Sequence, residues 1–136
     1  MNNHFMEYND ILNKINEVQA KITVLKENIY SVKGISYDDI PKGTNGNADI
    51  IFFLIEIEES EKELEELKEK KNIIKSKHEK EIEKVNNDKY RSILRMYYLN
   101  KFNIIKIAEL MGISESYARN LKKKAISQFM IENSIK

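Results

Sequence analysis

The stretch from Ile104 to Leu121, which reads IIKIAELMGISESYARNL, constrains the fold of this chain more than any other feature. Gly112 falls where a short first helix ends and the chain most readily takes positive φ. Ser114 is placed to cap a second helix. Ala108 lies where the two helices would cross, a position at which a larger side chain would push them apart. The pattern predicts a helix-turn-helix, with an ordinary helical hairpin as the alternative.

Residues 87–136 are predicted to form a three-helix domain around this motif. Asn87 or Asp88 can cap a helix from about Lys89 to Leu99, and Asn103 can cap the first helix of the motif. Apolar residues then recur at helical spacing on all three helices. They define one core that consists of Ile93, Leu94, Leu99, Ile107, Ala108, Met111, Ala118, Leu121, Ala125 and Phe129.

Residues 1–86 are predicted to form a long antiparallel helical hairpin or coiled coil. An unbroken 3.5-residue repeat marks the first helix, and its members are Tyr8, Ile11, Ile15, Val18, Ile22, Leu25, Ile29 and Val32. A loop rich in Gly, Asn and Asp follows, at about residues 34–47. The second helix is predicted to begin near Asn47 or Asp49 and to end near Val85. Its weaker apolar stripe consists of Phe53, Ile57, Leu64, Leu67, Ile74 and Val85.

The second helix of the hairpin is too long to be covered by the first. Its apolar end, at about residues 74–85, therefore needs another partner, either a second copy of the chain or the helix-turn-helix domain. We expect a homo-oligomer formed through the N-terminal helices, with a dimer favoured. His78 interrupts the stripe and is interpreted as a polar residue that sets the register, because no second His or Cys lies at ligand spacing. His4 precedes the first helix and carries no signal of its own.

Composition excludes several classes of protein. Charged residues make up 33% of the 136 residues, with four Gly and one Pro, which is typical of long solvated helices. No apolar run reaches about 18 residues, and the N-terminus lacks a basic segment followed by an apolar one, so we expect a cytoplasmic protein without a membrane span. The chain has no Cys, which excludes disulfides and thiolate metal sites.

Charge is distributed unevenly along the chain. Residues 88–136 contain ten Lys and Arg against four Asp and Glu, a net charge of +6. Residues 1–87 contain 13 basic and 18 acidic residues, a net charge of −5. An excess of positive charge beside a helix-turn-helix is what a phosphate-binding surface needs, so we expect double-stranded DNA as a partner.

The second helix of the motif is expected to read DNA. With Ala118, Leu121, Ala125 and Phe129 facing inward, a rotation of 100° per residue places the other side chains. The outward face should carry the residues that contact bases, which are Ser116, Arg119, Asn120 and Lys123. Glu115 and Tyr117 adjoin this set, and Ser127 continues the outward face. Phosphate contacts are assigned to Lys101, Lys106, Lys122 and Lys124.

The run from Asp88 to Ile126 resembles region 4 of sigma factors, and more closely phage-encoded transcriptional regulators of the RinA/ArpU kind. Those regulators also place a helix, a loop and a helix rich in Glu and Lys ahead of such a module. The resemblance implies promoter binding, activation of phage late genes and contact with RNA polymerase. Lys101 departs from it, since a Gly is common there, and we expect this departure to be harmless. The chain has no room for the parts of a sigma factor that read and melt the −10 element.

We predict that the chain is not an enzyme and has no metal or cofactor. There is no Cys, no His pair, no Gly-rich phosphate loop and no base beside Ser114 or Ser116. Two other functions stay open. One is a phage DNA-packaging adaptor of the small terminase type, and the other is a coiled-coil protein that docks on RNA polymerase.

Overall fold

The computed structural model describes residues 4–32 and 45–134, and within them the chain is all-α. The helices are α1 (Met6–Val32), α2 (Asn45–Glu83), α3 (Asp88–Leu94), α4 (Ile104–Met111) and α5 (Glu115–Glu132). A turn of π-helix, Arg95–Leu99, continues α3. The all-α prediction is thus confirmed. No helix in the described ranges is both long and apolar enough to cross a membrane.

The predicted helix boundaries agree closely with the observed ones. Helix α2 already begins at Asn45 and ends at Glu83, and most of the predicted loop at 34–47 lies outside the described residues. The side chains of Asn87 and Asn103 accept hydrogen bonds from the backbone N–H groups of Tyr90 and Lys106, so both predicted caps are observed. Because these capping contacts join residues only three positions apart, the starts of α3 and α4 can be predicted from the sequence.

The π-helical turn forces an unusual backbone conformation at Lys101. The N–H of Asn100 donates to the Arg95 carbonyl at 2.9 Å, and the N–H of Phe102 donates to the Met96 carbonyl at 2.9 Å. Lys101, between them, has a φ of 60°. This left-handed region favours Gly and costs other residues about 1 kcal/mol. The Lys at this position therefore strains the backbone, contrary to the expectation that it is harmless.

The described part of residues 9–71 forms one compact unit. Five members of the predicted stripe of α1 are buried in it, and they are Ile15, Val18, Ile22, Leu25 and Ile29. Leu25 and Ile29, near the end of α1, cluster with Ile57 of α2, and Phe53 packs against them. This contact is compatible with the predicted hairpin. Ser60, three residues after Ile57, is only 2% exposed, so this polar residue lies on the buried side of α2.

The second compact unit contains the helix-turn-helix together with residues that the sequence analysis assigned to the hairpin. It comprises the N-terminus up to Tyr8 and the chain from Asn72 onward. Ile82 and Val85 are completely buried there. Arg91 donates to the Val85 carbonyl at 2.6 Å, and Asn133 donates to the Glu81 carbonyl at 3.1 Å. The end of α2 is thus covered within the chain itself, and its apolar stripe no longer requires a second copy.

An aromatic cluster at the centre of this unit was not predicted. Phe5 is completely buried and stacks on Tyr98, with ring centroids 4.3 Å apart and planes inclined by 13°. The ring of Phe129 lies 5.5 Å from that of Phe5. The hydroxyl of Tyr8 donates to the Leu99 carbonyl at 3.4 Å. The residues before and at the start of α1 therefore belong to the core of the unit that carries the motif.

Candidate nucleic-acid interface

The turn between α4 and α5 has the geometry that the sequence predicts. Gly112 has a φ of 66°, and the N–H of Ile113 donates to the Ala108 carbonyl at 3.0 Å. A Cβ at Gly112 would have no atom within 4 Å, so only the left-handed backbone favours Gly there. Ser114 Oγ accepts the N–H of Tyr117 at 3.1 Å and caps α5 as predicted.

Small buried residues allow the helices of the motif to pack closely. Ala108 is 5% exposed and Ala118 is completely buried. Helix α5 packs against both α3 and α4. Nine of the ten predicted core residues are buried; Met111 is the exception and is only partly buried. This packing fixes the rotation of α5 about its axis, and with it the side chains that face solvent.

The residues predicted to contact bases lie together on the solvent side of α5. Ser116, Arg119 and Asn120 are exposed, as is Lys123 one turn later. Ser127 continues the same face. Their positions follow from a helix whose opposite side, through Ala125 and Phe129, is buried. The structure thus brings the predicted set onto one accessible strip.

Arg119 has an acidic neighbour on the same helix. Its guanidinium forms an ion pair with the Glu115 carboxylate four residues earlier. Both side chains are substantially exposed, so the pair contributes little to stability. Because Glu115 lies four residues before Arg119, the pair directs the guanidinium towards the N-terminal end of α5. Glu115, which adjoins the predicted contact set, is thus the observed partner of Arg119.

The four lysines assigned to phosphates have different surroundings. The ammonium of Lys106 lies 4.5 Å from the ring centroid of Phe102, and that of Lys122 lies 3.8 Å from that of Tyr97. Lys122 adjoins the buried stripe of α5 and is partly buried, whereas Lys124 is exposed. Desolvation lowers the pKa of Lys101. Lys101, Lys106 and Lys124 are exposed, so Lys122, which is partly buried against its aromatic ring, is the least accessible of the four for phosphate contacts.

A shallow groove beside α5 adds residues that the sequence analysis missed. Its volume is about 260 Å³, and its lining includes Lys89, Tyr90 and Lys124. An adjoining depression of about 330 Å³ is lined by Lys123, Lys124 and Tyr90 among others. The sequence predicted that α3 begins near Lys89, but it gave no signal that this residue lies beside Lys124 of α5. The groove extends the basic surface from α5 to α3.

The sequence of residues 34–130 matches the profile of a protein family described as "Protein of unknown function (DUF1492)". The chain belongs to the DUF1492 family. The match extends over α2 to α4 and most of α5, so it includes the whole helix-turn-helix and the basic groove. No curated protein and no solved structure matches the chain.

Proposed function

We propose that this protein is a sequence-specific DNA-binding transcriptional regulator that inserts α5 into the major groove. The observation that carries the proposal is the α4–α5 unit itself. Its turn is made by Gly112 in the left-handed region and Ser114 as cap, and its second helix presents one strip of exposed polar side chains. A helix that is buried on one side and polar on the other, at the second position of a helix-turn-helix, suits base contacts.

Each side chain on the strip has a recognisable role in this proposal. Arg119 pairs with guanine and Asn120 with adenine, each through two hydrogen bonds, while Ser116 and Lys123 make single contacts. Lys124, Lys106 and Lys89 contact phosphates and position the helix without specifying sequence. Lys101 and Lys122 are secondary candidates for the same role. Each paired contact discriminates against a wrong base by about 1–3 kcal/mol.

The finer proposal is that the regulator acts in the cytoplasm to activate phage late genes, with contact to RNA polymerase. It depends on the resemblance of residues 88–126 to sigma region 4 and to the RinA/ArpU regulators. A dimer is the favoured assembly. The exposed apolar side chains near the start of α2 support self-association, because such a patch is unfavourable in water. They are Ile51, Phe52, Leu54 and Ile55.

The same two features, a helix-turn-helix and a self-associating helical segment, also suit a DNA-packaging adaptor. The deciding experiment is selection of duplexes from a random library at near-physiological salt, with the mass of the protein in solution measured alongside. An enriched motif bound by a monomer or dimer supports the regulator. Binding without enrichment by a ring-sized oligomer supports the adaptor. Absence of binding contradicts both and favours docking on polymerase.

A matched pair of variants tests the face that binds. Lys124→Ala should weaken binding to every duplex and lower the salt dependence. Lys62→Ala removes the same charge from an exposed position of α2 and should leave binding unchanged. Equal losses for both variants would show that the protein binds DNA through its general charge and not through α5.

A further inference from the structure

Two histidines and a glutamate that are far apart in the sequence meet in the unit that carries the motif. His78 Nδ1 lies 2.8 Å from Glu81 Oε1, and His4 Nε2 lies 2.7 Å from Glu81 Oε2. One nitrogen from each ring and one carboxylate oxygen all lie within 4.8 Å of one another. His4, which carries no signal in the sequence, is thus brought into this cluster by the fold.

The surroundings hold these side chains in place. His78 is 1% exposed, and its ring lies 4.6 Å from that of Phe5. The ring of His4 meets that of Phe129 edge-on at 5.4 Å. Behind the carboxylate, the backbone carbonyl of Glu81 accepts a hydrogen bond from Asn133. The site is therefore supported by the segment before α1, by α2 and by α5.

The two ring nitrogens of His78 have different surroundings. Nδ1 faces the Glu81 carboxylate and is the nitrogen that a metal ion beside that carboxylate would contact. Nε2 lies on the other side of the ring, is buried and has no hydrogen-bond partner within the described ranges, so it takes no part in the site. Two imidazole nitrogens beside one carboxylate are a combination of ligand types that zinc sites use.

We propose that His4, His78 and Glu81 bind a divalent transition-metal ion, with Zn²⁺ as the best match. Two imidazole nitrogens and one carboxylate oxygen form a ligand set that Zn²⁺ accepts in tetrahedral geometry, and water takes the fourth position. Zinc bonds of about 2.0–2.1 Å place neighbouring tetrahedral ligands roughly 3.4 Å apart. The carboxylate must therefore retreat from each nitrogen by roughly 0.6–0.7 Å, and a pair of ligand atoms at the 4.8 Å limit must approach by roughly 1.4 Å. Side-chain rotation accounts for such movements, and any proton on a coordinating nitrogen is released.

Such an ion would act as a link within the unit. It would join His4, which precedes α1, to His78 and Glu81 near the end of α2. These two segments are more than 70 residues apart in the sequence. Because the complete site exists only in the folded chain, the ion stabilises the fold by mass action. At a free Zn²⁺ concentration of about 100 times Kd, the ratio of folded to unfolded protein rises roughly 100-fold. This role is independent of DNA binding.

The test uses the full-length chain, without a His tag, stripped with a chelator and then titrated with Zn²⁺ in a calorimeter. We expect one saturable site per chain and an increase of several degrees in Tm. His4→Gln and Glu81→Gln should each weaken binding at least 10-fold. Glu83→Gln, at an exposed position of the same helix, should leave it unchanged. Titration with Co²⁺ should give the visible absorption of a four-coordinate ion in the original chain and not in His4→Gln.

Two results would overturn the proposal: no saturable binding, or binding by His4→Gln as tight as that of the original chain. Circular dichroism in chelator verifies that each variant is folded. If Glu81→Gln is unfolded, His4→Gln decides the question alone, because its side chain is partly exposed and lies outside the helices. DNA affinity is measured separately. Its outcome supports or contradicts the proposed DNA binding whatever the zinc titration shows.

Discussion

Replacement of Phe5 by Ala is the most direct test of the core described for the unit that carries the helix-turn-helix. Phe5 is completely buried, stacks on Tyr98 at 4.3 Å and contacts the rings of His78 and Phe129. Truncation of a fully buried Phe costs about 3–5 kcal/mol through lost transfer energy and the cavity left behind. The stacked pair contributes about 0.5–1.5 kcal/mol of specific aromatic interaction. We therefore expect a loss towards the upper part of that range.

The assay is urea denaturation followed by circular dichroism, with Phe52→Ala as the matched control. Phe52 is 58% exposed on α2, so the same substitution there should change the free energy of unfolding by less than about 0.5 kcal/mol. A loss for Phe5→Ala no larger than that for Phe52→Ala would refute the placement of the N-terminal segment in the core. Because native proteins unfold with a free energy of about 5–15 kcal/mol, the expected difference between the two variants is easy to measure.

Four further predictions follow from the site and its scaffold. Arg119→Ala should weaken binding by about 1–3 kcal/mol at one base position and relax specificity there, as measured by competition with single-base variants of the selected duplex. Ser114→Ala removes the cap of α5 and should lower the free energy of unfolding by about 0.5–2 kcal/mol in urea. Lys101→Gly should be more stable than Lys101→Ala by about 1 kcal/mol, because φ is 60° there. Burial raises the pKa of Tyr98 to about 12, so the folded state holds this proton more tightly than the unfolded chain, and stability should fall as pH rises from about 10 towards 12.

Each of these predictions has a control and a contradicting result. Equal losses for Arg119→Ala on every duplex would contradict its assignment to a base. Ser116→Ala, which leaves the cap intact, should preserve stability where Ser114→Ala does not. Equal stabilities for the Gly and Ala variants at position 101 would contradict the left-handed backbone. Tyr98→Phe should reduce the decline between pH 10 and 12, while a smaller decline stays because burial also raises the pKa of Tyr8. An unchanged decline would contradict the contribution of Tyr98.

The turn between α4 and α5 could be predicted because its determinants are local. Gly112 acts through its own φ, and Ser114 through a bond to a residue three positions later. The caps at Asn87 and Asn103 act over the same distance. With the core positions set by a period of 3.6 residues, the exposed strip from Ser116 to Lys123 follows from helix geometry.

The sequence could not locate the remainder of the candidate sites, because contacts between distant segments carry no periodic signal. His4 and Glu81 are 77 residues apart, and Tyr8 and Leu99 are 91 apart. The Lys89 groove likewise depends on how α3 packs against α5. Local residue chemistry thus determined the helices, their caps and the side of α5 that faces solvent. Tertiary packing alone decided that the segment before α1 enters the core, since that placement depends on which buried aromatic surfaces fit together.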